Sequence, residues 1–169
     1  MTFYTYIRSP VGRLLLAADD EGLRLIEFEH PRHPYRLGDD WREGEHPLLD
    51  LARTQLDEYF NQGRRRFELK LAPRGTEFQR RVWSALATIG YGETLSYAGL
   101  AARIDAPRAV RAVGAANGRN PLPIVLPCHR VIGTDGSLTG FGGGLPVKRY
   151  LLELEGVPLE RDLFGTASL

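Results

Sequence analysis

The chain has 169 residues, a formal net charge of +1 at pH 7, 43% hydrophobic residues and 25% charged residues. Such a length buries a real core, as one large domain or two small ones, and the composition is that of an ordinary globular protein. The single cysteine excludes an intrachain disulfide and a cysteine-rich zinc site, no apolar run reaches bilayer length, and no basic start leads into an apolar signal stretch, so the reducing cytoplasm is the expected compartment.

Charge is unevenly spread. Residues 1–70 carry 11 Lys and Arg against 13 Asp and Glu, whereas residues 71–169 carry 11 against 8. Nearly all the basic residues of the second part are Arg, the better fork for phosphate, which leans mildly toward a polyanionic partner.

In chain order, Phe3 to Arg8 is aromatic and β-branched, Ser9 to Gly12 is a turn signal, and Arg13 to Ala18 reads as a second strand. A turn at Asp19 to Gly22 leads to a third strand, Leu23 to Phe28, completing a three-stranded meander. His30 to His46 is polar with two prolines and reads as a loop. His30, His33 and His46 have no further ligands nearby, so a solvated loop is preferred to a metal cluster and no metal is expected. Pro47 to Asn61 has helical apolar spacing and Gly63 ends it. Arg64 to Arg66 is a solvated basic run, and Phe67 to Leu71 alternates like a strand. Ala72 to Gly75 reads as a linker, dividing the chain into domains at 1–72 and 73–169.

Thr76 with Gln79 has capping-box spacing, and Phe78, Val82, Trp83, Leu86 and Ile89 then form one helical stripe. Ser96 caps a short helix with Tyr97, Leu100, Ala101 and Ile104 on one face. Pro107 opens the next helix, which runs to about Asn117. Ala109, Val110 and Val113 point one way, and Arg108, Arg111, Ala112 and Ala115 the other. Two helices joined by a tight turn resemble a helix-turn-helix. The second helix's exposed face, with arginines among small residues, is either solvated or suited to close approach to a nucleic-acid backbone. Prolines 121, 123 and 127 then stiffen an extended approach to Cys128, which His129 and Arg130 follow. By itself, a lone cysteine such as Cys128 is more often a small buried hydrophobe than a nucleophile, which would need activation by a cation, an imidazole or a helix start. Thr139 to Gly144 is glycine-rich without a phosphate-loop pattern, and is either a connector or a stretch of exposed backbone N–H groups beside a pocket. The last helix, Val147 to Glu155, has Val147, Tyr150, Leu151 and Leu154 inward, with Glu155 at the edge of the apolar face, where it either meets His129 or is a solvated helix end.

Taken together, Tyr97, the run 108–117 (RAVRAVGAAN), Asn120-Pro121, Pro127 to Val131 (PCHRV), Gly143-Gly144 and the closing 151–156 (LLELEG) resemble the O6-alkylguanine-DNA alkyltransferases of bacterial type. The resemblance covers residues 75–156 nearly continuously, and the region before it matches only by strand-and-helix pattern and size. It implies an α+β chain, with an N-terminal RNase H-like α/β domain and a mainly helical, winged-helix-like domain carrying the acceptor cysteine. The implied activity is irreversible, single-turnover transfer of a methyl or larger alkyl group from O6-alkylguanine, and from O4-alkylthymine, to Cys128 after base flipping. His129 would take the thiol proton through a water, Glu155 would orient His129, and Asn120 would shape the turn. Tyr97 would donate to the leaving base and help rotate the nucleotide. Arg111 would fill the vacated stack, with Arg108, Ala112, Gly114 and Ala115 against the minor groove. Val131, Phe141, Gly142 and Gly143 would line the substrate pocket. The implied partner is double-stranded DNA bound by a monomer, without cofactor or membrane. Phe141 stands where many members have Tyr, and Gly142 where some have Ser, which implies a roomier pocket tolerant of alkyl groups larger than methyl. The rivals are a turning-over cysteine hydrolase and a non-catalytic damage sensor.

Overall fold

The computed structural model describes residues 1–159. Strands β1 (Thr2–Ile7), β2 (Leu14–Asp19) and β3 (Gly22–Glu27) form the expected antiparallel meander. Successive side chains of β2 alternate between faces, as the period of two requires. Leu14, Leu16 and Ala18 enter the main core under helix α1 (Pro47–Asn61), while Leu15 and Ala17 pack with Leu25, Tyr4 and Trp41 on the opposite face. Burial on both faces explains why β2 reads as an unbroken apolar run.

The sheet has a fourth strand that the meander reading lacks. β4 (Trp41–Glu43) lies inside the segment read as a loop and pairs in parallel with β1, giving the order β3-β2-β1-β4. Three residues are too few to show alternation, and this strand depends on the free edge of β1. His46, at the end of the same segment, caps α1: its Nδ1 accepts from Leu48 N at 3.1 Å and its Nε2 lies 3.0 Å from Asp20 Oδ1.

The stretch 67–71 is extended but is not a strand. It makes one isolated parallel bridge, Leu23 to Leu71, and the backbone N–H and C=O of Glu68 are taken by the Gln55 side chain at 2.8 and 3.1 Å. The alternating burial of Phe67, Leu69 and Leu71 is therefore real, but a side chain replaces the partner strand.

The second part is mainly helical. α2 (Glu77–Leu86) begins at a complete capping box between Thr76 and Gln79 and ends before Ile89, which is buried in the following turn. Trp83, 2% exposed, donates from Nε1 to Ala116 O at 2.8 Å and so locks α2 to the helix that carries Ala116. α3 (Tyr97–Arg103) is capped by Ser96 Oγ. α4 (Val110–Gly118) starts three residues later than the Pro107 signal suggests, because Ala106 to Ala109 form a turn with no side-chain cap. Short strands β5 (Leu95–Ser96) and β6 (Val131–Ile132) pair in parallel and tie α3 to the cysteine segment.

In α5 (Leu145–Leu154), Val147 and Leu154 pack against the core as expected, but Tyr150 does not. Leu151, Leu152 and Lys148 are buried, whereas Tyr150 is 37% exposed. The inward stripe runs through 148, 151, 152 and 155, so a lysine and a glutamate bracket the leucines. The two parts share one core and join through Ile26 N to Pro121 O at 2.8 Å, Arg32 N to Gly142 O at 2.7 Å, and a Phe28–Phe141 ring contact at 5.5 Å. Among the described residues no helix is long and apolar enough to cross a membrane.

Candidate active site

The proline-stiffened approach to Cys128 is held by Asn120. Its Nδ2 donates to Leu126 O at 2.7 Å and its Oδ1 accepts from Leu122 N at 2.9 Å, while Leu126 N donates to Leu122 O at 2.8 Å. Within this loop Ile124 sits at φ 75°, a left-handed conformation that a β-branched residue rarely adopts. Such strain persists only where neighbours over-determine it. Here the Asn120 staple and the burial of Leu122, Ile124 and Leu126 do so.

Cys128 opens a 3-10 turn, Cys128–Arg130, and is 5% exposed. Burial pushes its thiol up to about 11, outweighing the Asn120 side chain and the charge of Lys148, which both favour the thiolate. The resting centre therefore holds a thiol, in spite of the nearby cation and imidazole.

His129 is fully buried. Its Nε2 lies 2.7 Å from Glu155 Oε2, and its Nδ1 is buried without a hydrogen-bond partner. Burial lowers the imidazole below its ordinary value; Glu155 opposes that shift, and Arg130 and Lys148 reinforce it. Burial likewise works to raise the Glu155 carboxyl. Hydrogen bonds and charge from His129 and Arg130 overcome it and hold Glu155 at about 2. An ionised carboxylate only accepts, so His129 presents Nε2–H to it and leaves the Nδ1 lone pair free.

Arg130 completes the cluster. Its Nε and Nη2 reach Glu155 Oε1 and Oε2 at 2.8 and 3.0 Å, and its Nη1 donates to Ile89 O at 2.6 Å. Tyr59 Oη donates to Glu155 Oε2 at 2.6 Å, and Gly92 N lies 3.3 Å from Oε1. Buried charges persist when paired and fully hydrogen-bonded, as these are.

Lys148 lies on the other side of the cysteine turn with no surface exposed, donating to Val131 O at 2.6 Å and Thr139 O at 3.0 Å. Burial brings it down to about 8, with the cysteine opposing. Tyr97 Oη also donates to Thr139 O, at 3.0 Å. A cavity of about 270 Å³ opens at Cys128, lined also by Asn117, Phe141 and Gly142 from the second part and by Phe28 and Tyr35 from the first. A Cβ on Gly142 would meet nothing closer than 3.9 Å, whereas one on Gly143 would stand 2.6 Å from the Phe28 ring. Glycine at 143 is thus demanded by close packing between the two parts.

On α4, Arg111, Ala112 and Ala115 are exposed, and Arg108 is exposed in the turn before it. Gly114 faces Tyr97, with room for a Cβ at 3.6 Å from the ring. The structure thus buries Cys128, His129 and Glu155 together, with the half-buried Asn120 holding the cysteine loop; Phe141 and Gly142 line the cavity with Cys128, whereas Tyr97, Val131 and Gly143 do not. Sequence reasoning missed the parts played by Tyr59, Arg130 and Lys148. Lys148 carries a readable signal, since it precedes Leu151 and Leu152 by three and four residues. Tyr59 carries none, being one more aromatic in an apolar stripe.

Two family descriptions match the chain: "6-O-methylguanine DNA methyltransferase, ribonuclease-like domain" over residues 2–73 and "6-O-methylguanine DNA methyltransferase, DNA binding domain" over residues 77–157. The methylated-DNA--protein-cysteine methyltransferase of Methanosarcina acetivorans is 48% identical over 154 residues, covering 91% of this chain and 98% of that protein. The Haemophilus influenzae protein of the same name is 48% identical over 158 residues, covering 92% and 87%. The crystal structure of Mycobacterium tuberculosis OGT in complex with DNA superposes with a TM-score of 0.84 at 45% identity, covering 96% of this chain and 99% of that one. With both halves matched in order and the relatives aligned over nearly their whole length, the chain belongs to the 6-O-methylguanine DNA methyltransferase family, whose two-domain fold it shares.

Proposed function

We propose that this chain repairs alkylated DNA by moving the alkyl group from O6 of guanine onto Sγ of its own Cys128, once per molecule. The observation that carries this reading is Cys128 at the wall of a cavity, followed in the chain by a fully buried His129 that is bonded to Glu155 and has an unpartnered Nδ1.

Neighbouring residues rarely bond side chain to side chain, so a water between Sγ and Nδ1 carries the thiol proton. As the S–C bond forms, the C–O6 bond breaks in line and its electron pair leaves on the purine. The thiol proton passes through the water to Nδ1, and the imidazolium returns it through solvent to the departing base, so proton count and charge close. Tyr97 donates to the base as it acquires charge. The ion pair with Glu155 stabilises the transient imidazolium. A thioether is a poor leaving group, so the protein is consumed. The buried thiol stays protonated until substrate arrives, which protects it from other electrophiles.

O6 is inaccessible within a stacked duplex, so the nucleotide must be flipped at a cost of a few kcal/mol. α4 enters the minor groove by its face of small residues, Ala112, Gly114 and Ala115, with Arg111 in the vacated stack and Arg108 on phosphate. The carbonyls of Cys128 and Val131 accept from the guanine amino group; Lys148 occupies only one lone pair of Val131 O. The Gly142 N–H faces O6. Phe141 supplies an aromatic wall without a hydroxyl, and Gly142, which has no side chain on the cavity wall, leaves room for alkyl groups larger than methyl.

Intact-protein mass spectrometry with excess O6-methylguanine duplex tests this. One methyl per protein, mapped to the Cys128 peptide, is expected. Loss of the lesion with no mass gain would point to a turning-over enzyme, and an intact lesion with unchanged protein would leave only damage binding.

A further inference from the structure

The alkyl-transfer reading uses only the His129 arm of Glu155. A second arm reaches the same oxygen from the other domain. Tyr59 lies on α1, 96 residues before Glu155, and is 1% exposed. Its ring stands edge-on to Phe60 and Tyr91 and tilted against Phe67, with centroids 5.3, 6.2 and 5.6 Å away, so packing aims the hydroxyl. Oε2 receives Tyr59 Oη at 2.6 Å, His129 Nε2 at 2.7 Å and Arg130 Nη2 at 3.0 Å. Three donors thus share one oxygen's charge.

We propose that Tyr59 is a positioning residue for alkyl transfer, fixing the Glu155 carboxylate against His129 and drawing off part of the negative charge on which His129 leans. This rests on the reading that His129 receives the thiol proton. Burial, and then the charge of Glu155, push the Tyr59 phenol far above its ordinary range, so it remains a donor wherever the protein is folded. Donors that converge on one acceptor weaken one another's bonds, because each polarises the same lone pairs. With Tyr59 in place the imidazolium gains less from Oε2, and His129 keeps its free Nδ1 to lower pH. Arg130 and Lys148 also disfavour the imidazolium, Glu155 favours it, the Cys128 thiol is protonated at rest, and Tyr91 faces Tyr59 across a ring edge. The ribonuclease-like domain would therefore set the proton affinity of a base in the other domain.

Tyr59→Phe keeps the ring and removes the hydroxyl. The measurements are the pH dependence of single-turnover alkyl transfer from an O6-methylguanine duplex and the His129 imidazole titration by 15N NMR, both on the whole chain. Both are expected to move to higher pH by about half a unit or more. Introducing 3-fluorotyrosine at position 59, a stronger donor, is expected to move both the other way, and it decides the matter if the Phe variant does not fold. Profiles that stay at the wild-type position overturn the proposal and leave Tyr59 as packing. His129→Gln separates the premise: a folded His129→Gln protein that transfers at the wild-type rate sinks the proton relay itself. A slow one with unshifted Tyr59 variants sinks only the part assigned to Tyr59.

Discussion

Lowering the pH interrogates the Glu155 cluster directly. The Glu155 side chain is fully buried and its carboxyl is held at about 2, against an ordinary 4.5. The unfolded chain therefore binds this proton more tightly than the folded protein. The resulting stability is fully present above about 4.5 and drains away as pH falls toward 2. At 1.36 kcal/mol per unit, the depression corresponds to about 3 kcal/mol, of which about 2 kcal/mol is gone by pH 3. His129 adds a loss at higher pH. Its folded value lies below 6.5, so its contribution is complete above 6.5 and is lost as pH falls through the folded value. The assay is urea unfolding between pH 7 and pH 3 for the wild type and Glu155→Gln. The variant begins about 3–5 kcal/mol lower, because Arg130 keeps its charge in a buried site without its carboxylate. It also lacks the Glu155 titration, so the gap should close by about 2 kcal/mol between pH 6 and pH 3. A gap that stays constant across that range would refute the reasoning, since Glu155 would then not be the ionised acceptor of this cluster.

Three further outcomes follow from the geometry. Cys128, raised to about 11 from an ordinary 9.0, should react with iodoacetamide at pH 8 about 100-fold more slowly than a solvated thiol, with mass spectrometry following the label; fast labelling would show a thiolate at rest. Gly143→Ala places a Cβ 2.6 Å from the Phe28 ring and should lower stability by about 1–3 kcal/mol through overpacking between the domains, read from the denaturation midpoint. Arg111→Ala, on the exposed face of α4, should leave stability within about 0.5 kcal/mol while weakening duplex binding in fluorescence anisotropy and slowing transfer; an unfolded or fully competent variant would remove Arg111 from the DNA face.

The α+β class and most helices could be read in the chain because their signals are local. The capping box at Thr76 and Gln79, Ser96 before α3 and the apolar run of β2 each lie within a few residues. The candidate centre was legible where its chemistry is contiguous, from Pro127 to Val131, and where Glu155 sits at the edge of a helical stripe. What escaped depends on distant partners. β4 exists only against the edge of β1, and residues 67–71 lose their strand to Gln55. α5 turns so that Lys148 faces inward, because two carbonyls near the cysteine turn await its ammonium, whereas hydrophobic periodicity counts any lysine as exposed. Pro107 is a good helix opener by local rule, yet Ala106 to Ala109 close a turn, Ala109 N donating to Ala106 O at 2.9 Å, before α4 begins at Val110.

The arrangement also explains why the ribonuclease-like domain is more than a passenger. A cluster of Glu155, Arg130 and His129 buried in one domain would leave acceptor capacity on Oε2 unfilled and the back of the carboxylate open to water. Tyr59 fills that position from α1, and the Phe28 ring closes over Gly143 from the end of β3. Buried polar groups are costly when half-satisfied and rigid when fully satisfied. Separating the two domains would therefore damage the proton-handling centre before it disturbed α4, which packs chiefly on α2 and α3 through Trp83 and Val113. DNA binding and alkyl transfer are thus expected to part company under mild denaturant. Duplex affinity should persist at urea concentrations where transfer to Cys128 has already failed, and simultaneous loss of the two would show that the domains act as one cooperative unit.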